Sequence, residues 1–178
     1  SARALLDAKK LPEAQQAFAQ LAAVDPRNAE VNYHLGDLAL RRNELEQGVA
    51  YLEKSVAADP QNSRYHHRLG DAYGTQAAEA SVFRQLGFAK KCLAAYERAV
   101  ALDPQNVEAR ASLFEFYRRA PGLLGGGIDK ATAQAAAVKQ LNPARGRFLF
   151  ATLYVGEKKY AEAFAEFRLL ALQRHSAE

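Results

Sequence analysis

The tetrapeptide Asp-Pro-x-Asn occurs three times, as Asp25-Pro26-Arg27-Asn28, Asp59-Pro60-Gln61-Asn62 and Asp103-Pro104-Gln105-Asn106, with Leu141-Asn142-Pro143 as a weaker fourth mark. Each mark follows a stretch with the apolar periodicity of an amphipathic helix. A proline there cannot continue the preceding helix, because it lacks an amide hydrogen and its ring meets the turn before it; the asparagine two residues on suits the cap of the next helix. The proline spacings are 34 (26 to 60), 44 (60 to 104) and 39 (104 to 143). A recurring unit of this size cannot bury its apolar face alone, so the chain must gain its stability by stacking unit on unit.

The residues between the marks resemble the tetratricopeptide repeat, whose consensus runs Trp-x2-Leu-Gly-x2-Tyr, then Ala-x3-Phe, then Pro. One repeat carries Leu35-Gly36-x2-Ala39, Gly48-x3-Leu52 and Pro60, and the next Leu69-Gly70-x2-Tyr73, Cys92-x3-Tyr96 and Pro104. The fourth reads Leu113-Phe114-x2-Tyr117, Ala131-x3-Ala135 and Pro143; the fifth reads Phe150-Ala151-x2-Tyr154 and Ala163-x3-Phe167. A truncated first repeat shows Leu5, Ala14-x3-Phe18 and Pro26. The resemblance covers essentially the whole chain, although Asn32, His66, Arg110 and Arg147 stand where the consensus has tryptophan. It implies an all-α, right-handed superhelical solenoid of antiparallel helix pairs. One array over 1–178 is expected, with repeats at about 1–27, 28–61, 62–105, 106–143 and 144–178.

Small residues at Gly36, Gly48, Gly70, Cys92, Ala151 and Ala163 would let the helices of a pair approach closely, while Phe18, Tyr73, Tyr96, Tyr117 and Phe167 fill the space between pairs. Cys92 is read as a packing residue in this pattern, since buried thiols are generally inert.

Measured against the 34-residue period, the third repeat holds ten extra residues and the fourth five. The third-repeat insertion lies in "TQAAEASVFRQLGFAKK", which has no proline, so both helices are expected to run on into a projecting hairpin bearing Val82, Phe83, Leu86 and Phe88. The fourth-repeat insertion lies in "APGLLGGGIDK". Its glycines are expected to supply φ > 0 turns, its Asp129 to cap the next helix, and its Leu123, Leu124 and Ile128 to cover Phe83 and Leu86. A phosphate loop is the alternative, but Ile128-Asp129 stands where Lys-Ser/Thr should follow, and the preceding "SLFEFYRRA" is helical.

The resemblance also implies where a partner would sit, because first helices line the concave groove in this family. The positions that face inward are Tyr33, His34, Asp37 and Arg41 in the second repeat, with Glu30. They are Arg64, His67, Arg68 and Asp71 in the third, Glu115, Arg118 and Arg119 in the fourth, with Glu108 and Ser112, and Arg145 and Phe148 in the fifth, with Thr152. Arginines and aromatics together suit a protein or peptide partner whose carboxylates need forked donors and whose apolar side chains need flat surfaces; a merely solvated charged face is the plainer reading. Arg64 and Arg68 match positions that hold a C-terminal carboxylate in chaperone-binding members, yet His34 replaces the expected asparagine, so a full carboxylate clamp is not expected. His34 with Asp37 and His67 with Asp71 could also be read as metal ligands, but hydrogen bonding within a recognition face is favoured.

No Ser-His-Asp or Cys-His arrangement stands outside the repeat register, so no catalytic residue, metal or cofactor is expected. The balance of 24 Lys and Arg against 20 Asp and Glu gives +4 without a basic block, which argues against a general nucleic-acid or membrane-surface binder. No apolar run approaches the ~18 residues of a membrane helix, so membrane insertion is not expected. The chain has no methionine and one cysteine, so Ser1 is read as the start of a trimmed or mature form and no internal disulfide is possible. The long third-repeat hairpin with the Pro-Gly-x2-Gly-Gly loop is similar to a group of bacterial arrays, many of them exported, which tilts the expected location towards the periplasm. The truncated start and "FRLLALQRHSAE" leave apolar residues, Leu169, Leu170 and Leu172, that either another copy in a homo-oligomer or a missing segment of a larger protein would cover.

Overall fold

The computed structural model describes residues 1–175, with side chains described through residue 172, so the end of the C-terminal stretch singled out for self-assembly lies outside the described side chains. Among these residues there are ten α-helices, one 3-10 turn and no strand. A first compact unit, Ser1–Leu102, holds α1 (Ala2–Asp7), α2 (Leu11–Val24), α3 (Ala29–Arg41), α4 (Leu45–Ala58), α5 (Ser63–Glu79) and α6 (Val82–Leu102). A second, from Asp103 onward, holds α7 (Val107–Arg119), α8 (Ile128–Leu141), α9 (Pro143–Gly156) and α10 (Tyr160–His175). Within the first, α1 pairs with α2, α3 with α4 and α5 with α6, while α2 packs on α3 and α4 on α5. Within the second, α7 pairs with α8 and α9 with α10, and α8 packs on α9.

The Asp-Pro-x-Asn marks fold as three copies of one turn. The carboxylates of Asp25, Asp59 and Asp103 accept from the amides of Arg27, Gln61 and Gln105 at 3.1, 3.3 and 3.0 Å. Asn28 and Asn106 then cap α3 and α7, accepting from the amides of Val31 at 3.0 Å and Ala109 at 2.9 Å. Asn62 departs from this expectation: its side-chain amide donates to Asp59 at 3.3 Å, and α5 begins without a side-chain cap. Asn142 caps α9 through the amide of Arg145 at 3.0 Å, with Pro143 in the first turn, where a missing N–H costs nothing.

The missing tryptophans turn out to be replaced by a polar tie. Asn32 donates to the Pro26 carbonyl at 3.0 Å, His66 Nε2 lies 3.0 Å from that of Pro60, and Arg110 Nε donates to that of Pro104 at 2.6 Å. Each link spans six residues, from the second turn of a first helix back to the Asp-Pro turn before it. Arg147, whose repeat lacks an Asp-Pro turn at that distance, instead joins Lys139 on Glu166 at 3.0 Å each, a three-way tie among α8, α9 and α10.

Close helix approach follows the small residues. A Cβ at Gly36 would stand 2.7 Å from Leu52, at Gly48 2.6 Å from Leu40, and at Gly70 2.5 Å from the Tyr96 ring. Phe18, Tyr73, Tyr96 and Tyr117 are buried as expected, but Phe167 is 43% exposed, because no helix of the second unit lies over that side of α10. Cys92 is buried, and burial pushes its thiol up to about 12, in keeping with a packing role.

Three of the turns within helix pairs are short and pass through left-handed residues, Lys9 (φ 57°), Asn43 (φ 62°) and Lys158 (φ 60°). The two insertions replace this turn. In the third repeat both helices do lengthen, to 17 and 21 residues, meeting at Ala80-Ser81. Within their own unit the tip is bare: Phe83 is 97% and Val82 81% exposed. In the fourth repeat the glycines work differently from the expectation. Gly125 alone takes a left-handed φ, 89°, at the end of the 3-10 turn Gly122–Leu124. Gly126 is required for space, since a Cβ there would fall 1.8 Å from the Ala120 carbonyl oxygen. Gly127 is the N-cap of α8, and Asp129 sits inside the first turn instead of capping it.

Candidate functional site

Consecutive repeats place ionisable residues at equivalent positions, and that register builds a polar surface in the first unit. Glu30 and Arg64 are one period apart, as are Asp37 and Asp71, while His34 and Arg68 are likewise paired by the 34-residue step. On α3 the residues 30, 33, 34, 37 and 41 share a face by their spacing of three and four; on α5 the residues 64, 67, 68 and 71 do the same.

Glu30 is the hub at one end. Its carboxylate accepts from Arg64 at 2.5 Å and from the Tyr65 hydroxyl at 2.6 Å, and lies 2.9 Å from His34 Nε2. Burial alone would raise its pKa, but the hydrogen bonds from Tyr65 and Arg64 and the charge of Arg64 outweigh it and hold the carboxyl at about 2. Burial and the same hydrogen bond push the Tyr65 hydroxyl up to about 12. Burial lowers the His34 pKa in spite of Glu30, and the ring stacks on Phe18 with centroids 4.7 Å apart. The Arg64 guanidinium lies 4.3 Å over the Tyr33 ring, which in turn lies 5.2 Å from that of Tyr65.

Asp37 and Asp71 form the second half. Arg68 bridges them, 2.6 Å from Asp37 and 3.4 Å from Asp71; Arg41 reaches Asp37 at 2.8 Å. Asp71 also accepts from the Tyr96 hydroxyl at 2.9 Å and lies 3.6 Å from His67 Nε2. The eight candidates therefore form two groups on the α3 and α5 faces, Tyr33, His34 and Arg64 around Glu30, and Arg41, His67 and Arg68 around Asp37 and Asp71.

In the second unit the candidates fall into two groups. Glu115 holds Arg118 at 2.7 Å and Arg119 at 3.0 Å. Arg145 lies 5.9 Å over the Phe148 ring and 3.7 Å from Glu108, leaving Phe148 46% exposed.

The sequence pattern points to arginines with free forks, but in the first unit each is already matched to a carboxylate of this chain. What remains at its surface is a shelf of rings and guanidinium faces, with Arg64 44% exposed at its edge. Two members escaped the sequence reading: Tyr65, which tethers Glu30, and Tyr96, read only as packing. The period of 34 between Glu30 and Arg64 is the signal that could have exposed the first pairing.

The metal and phosphate readings fit this geometry poorly. The Asp37 carboxylate is taken by two arginines and His34 by Glu30, and among the described residues no group of three or more His, Cys, Asp or Glu is placed to hold an ion. In the glycine loop the amides of Leu124, Gly125, Gly126 and Gly127 all donate to carbonyls of Pro121, Gly122 or Tyr117, at 2.8 to 3.2 Å, so these four are not available to an anion.

The sequence model of the tetratricopeptide repeat family matches residues 1–63. A search of curated proteins finds no match. Among solved structures, the chain is similar to TTC0263, a thermophilic TPR protein in Thermus thermophilus, with 21% identity and a TM-score of 0.75 over 97% of this chain and 87% of that one. It is similar to residues 41 to the end of MamA from Desulfovibrio magneticus RS-1, with 16% identity and a TM-score of 0.76 over 98% and 92%. It is also similar to YrrB, a TPR protein with an unusual peptide-binding site, with 20% identity and a TM-score of 0.68 over 98% and 88%. Each likeness is one of fold. The family model covers the first 63 residues, and with the helix pairs and the turn chemistry the structural matches show that the chain has the helical-repeat fold of tetratricopeptide repeat proteins.

Proposed function

We propose that the chain is a non-enzymatic scaffold that binds a protein or peptide on the first-helix faces of its repeats, with the α3 and α5 face as the principal contact. The observation that carries this is the Arg64–Tyr33–Tyr65 shelf fixed by Glu30: rings and a guanidinium held in place by hydrogen bonds lose little entropy when a partner lands on them. Such a surface suits a peptide with apolar or aromatic side chains laid flat on the rings, and with backbone carbonyls or a carboxylate reaching the exposed edge of Arg64. Exposed Phe148 under Arg145 repeats the motif in the second unit.

Selection of binders from a random peptide library, followed by fluorescence polarisation on the selected peptides, tests the reading. Tyr33→Ala and Arg64→Ala should each weaken binding at least ~10-fold, the loss of one centrally placed anchor, with helicity unchanged. Undiminished binding in both variants would sink the assignment.

A second reading, self-assembly, is favoured by α10. Tyr160, Phe164 and Phe167 occupy the register that Leu45, Val49 and Leu52 occupy on α4, where α5 covers them, yet the α10 residues are 65%, 69% and 43% exposed. Sedimentation equilibrium separates the two: a mass rising with concentration, and lost in Phe164→Glu, supports assembly, whereas a constant monomer mass removes it.

A further inference from the structure

The α5–α6 hairpin ends in an apolar point that no part of the scaffold reading uses. Helix α5 is four residues longer than α3, and α6 seven longer than α4, so the hairpin outreaches its neighbour pair by roughly 6 to 10 Å at ~1.5 Å per residue. At the tip, the Ser81 carbonyl accepts from the amides of Arg84 and Gln85 at 2.9 and 3.0 Å and starts α6. Val82, Phe83 and Leu86 follow immediately, exposed at 81%, 97% and 41%. Helical spacing puts Val82, Leu86 and Lys90 in one row with Phe83 beside it. Burying these side chains would be favourable, and nothing in the packing of the first unit requires them to be large and apolar.

We infer that this tip docks on an anionic bilayer surface. Two observations select that occupant. The first is shape: the apolar residues stand on a projecting point, which enters a soft interface readily. The second is charge. From Ala72 to Tyr96 the cations are Arg84, Lys90 and Lys91 and the sole acid is Glu79. None of the three cations makes an ion pair among the described residues, although Lys91 lies 5.1 Å over the Tyr73 ring. On α6 Arg84 follows Phe83 directly and Lys90 and Lys91 lie about two turns behind it, an arrangement in which apolar insertion and attraction to acidic headgroups reinforce each other. No helix among the described residues is long and apolar enough to cross a membrane, so the contact is peripheral, with the tip in the headgroup region. It is independent of the α3 and α5 face, which remains free for a partner.

The chain contains no tryptophan, so a single one placed at the tip reports on it alone. Phe83→Trp is expected to show a blue-shifted emission with vesicles of equimolar phosphatidylglycerol and phosphatidylcholine, quenched by brominated acyl chains and reversed by high salt. Pure phosphatidylcholine vesicles should leave it unchanged, as should either vesicle for a Phe148→Trp control. In co-sedimentation with the anionic vesicles, Phe83→Asp should lower the bound fraction roughly tenfold, consistent with removing one inserted aromatic side chain, and Arg84→Glu with Lys90→Glu should do the same. No emission shift with either vesicle, an equal shift with neutral vesicles, or wild-type sedimentation of Phe83→Asp would each overturn the inference.

Discussion

Replacing Glu30 by glutamine removes one charge and leaves an acceptor, and so isolates the electrostatic part of the α3–α5 tie. The carboxyl is held at about 2 against an ordinary 4.5, a depression that would be worth about 3 kcal/mol in a fully buried site at ~1.4 kcal/mol per unit. The side chain is 40% exposed, however, and solvent screening of such a pair brings the expected loss down to about 1 kcal/mol. For a unit of this size that is a fall in Tm of roughly 5 °C. The sign of the pH dependence follows from the direction of the shift: a depressed carboxyl contributes stability that is present above 4.5 and lost as pH falls towards 2. Circular dichroism melts of wild type and Glu30→Gln should therefore differ by about 5 °C at pH 7, and by about half of that or less at pH 3. A gap as large at pH 3 as at pH 7, or none at pH 7, would refute the reading of Glu30 as a charged hub.

Gly70→Ala drives a Cβ to 2.5 Å from a Tyr96 ring whose hydroxyl is anchored on Asp71, and overpacking of this kind should cost about 1 to 3 kcal/mol in urea denaturation even after the helix-propensity gain of alanine. Gly126→Ala, which meets the Ala120 carbonyl, should destabilise the second unit by more than ~1 kcal/mol, whereas Gly122→Ala, which meets nothing within 4 Å, should stay within ~0.5 kcal/mol of wild type. Cys92, with its thiol pushed up to about 12, should resist a thiol reagent at pH 8 in the native protein and react fully in denaturant.

The turns were legible because their chemistry is local. Asp-Pro-x-Asn carries its own hydrogen bonds, and each mark, whatever its distance from the last, is followed directly by the start of the next first helix. Small residues such as Gly48 and Cys92 marked close approach for the same reason: the requirement acts on that residue itself. The insertions were harder to read. Glycine announces freedom but not how it is used, and at Gly126 the need is the nearness of a carbonyl six residues back, which no count of glycines reveals. The polar residues at the tryptophan position look like exceptions in the sequence when they are a repeated device, Asn32, His66 and Arg110 each reaching back to a proline carbonyl. In the site, periodicity located the face but not its pairing. Whether Arg64 meets a partner or Glu30 depends on the distance between successive first helices, and that is set by the packing of α4 on α5 and not by either residue.

Hydrogen exchange of the whole chain, with and without the tightest peptide from the library selection, tests the scaffold reading most directly. The account predicts that the peptide slows exchange in Ala29–Arg41 and Ser63–Glu79, the helices that carry the shelf, and leaves α2 and α4 unchanged. Protection confined to α2 and α4, with α3 and α5 unaltered, would contradict it.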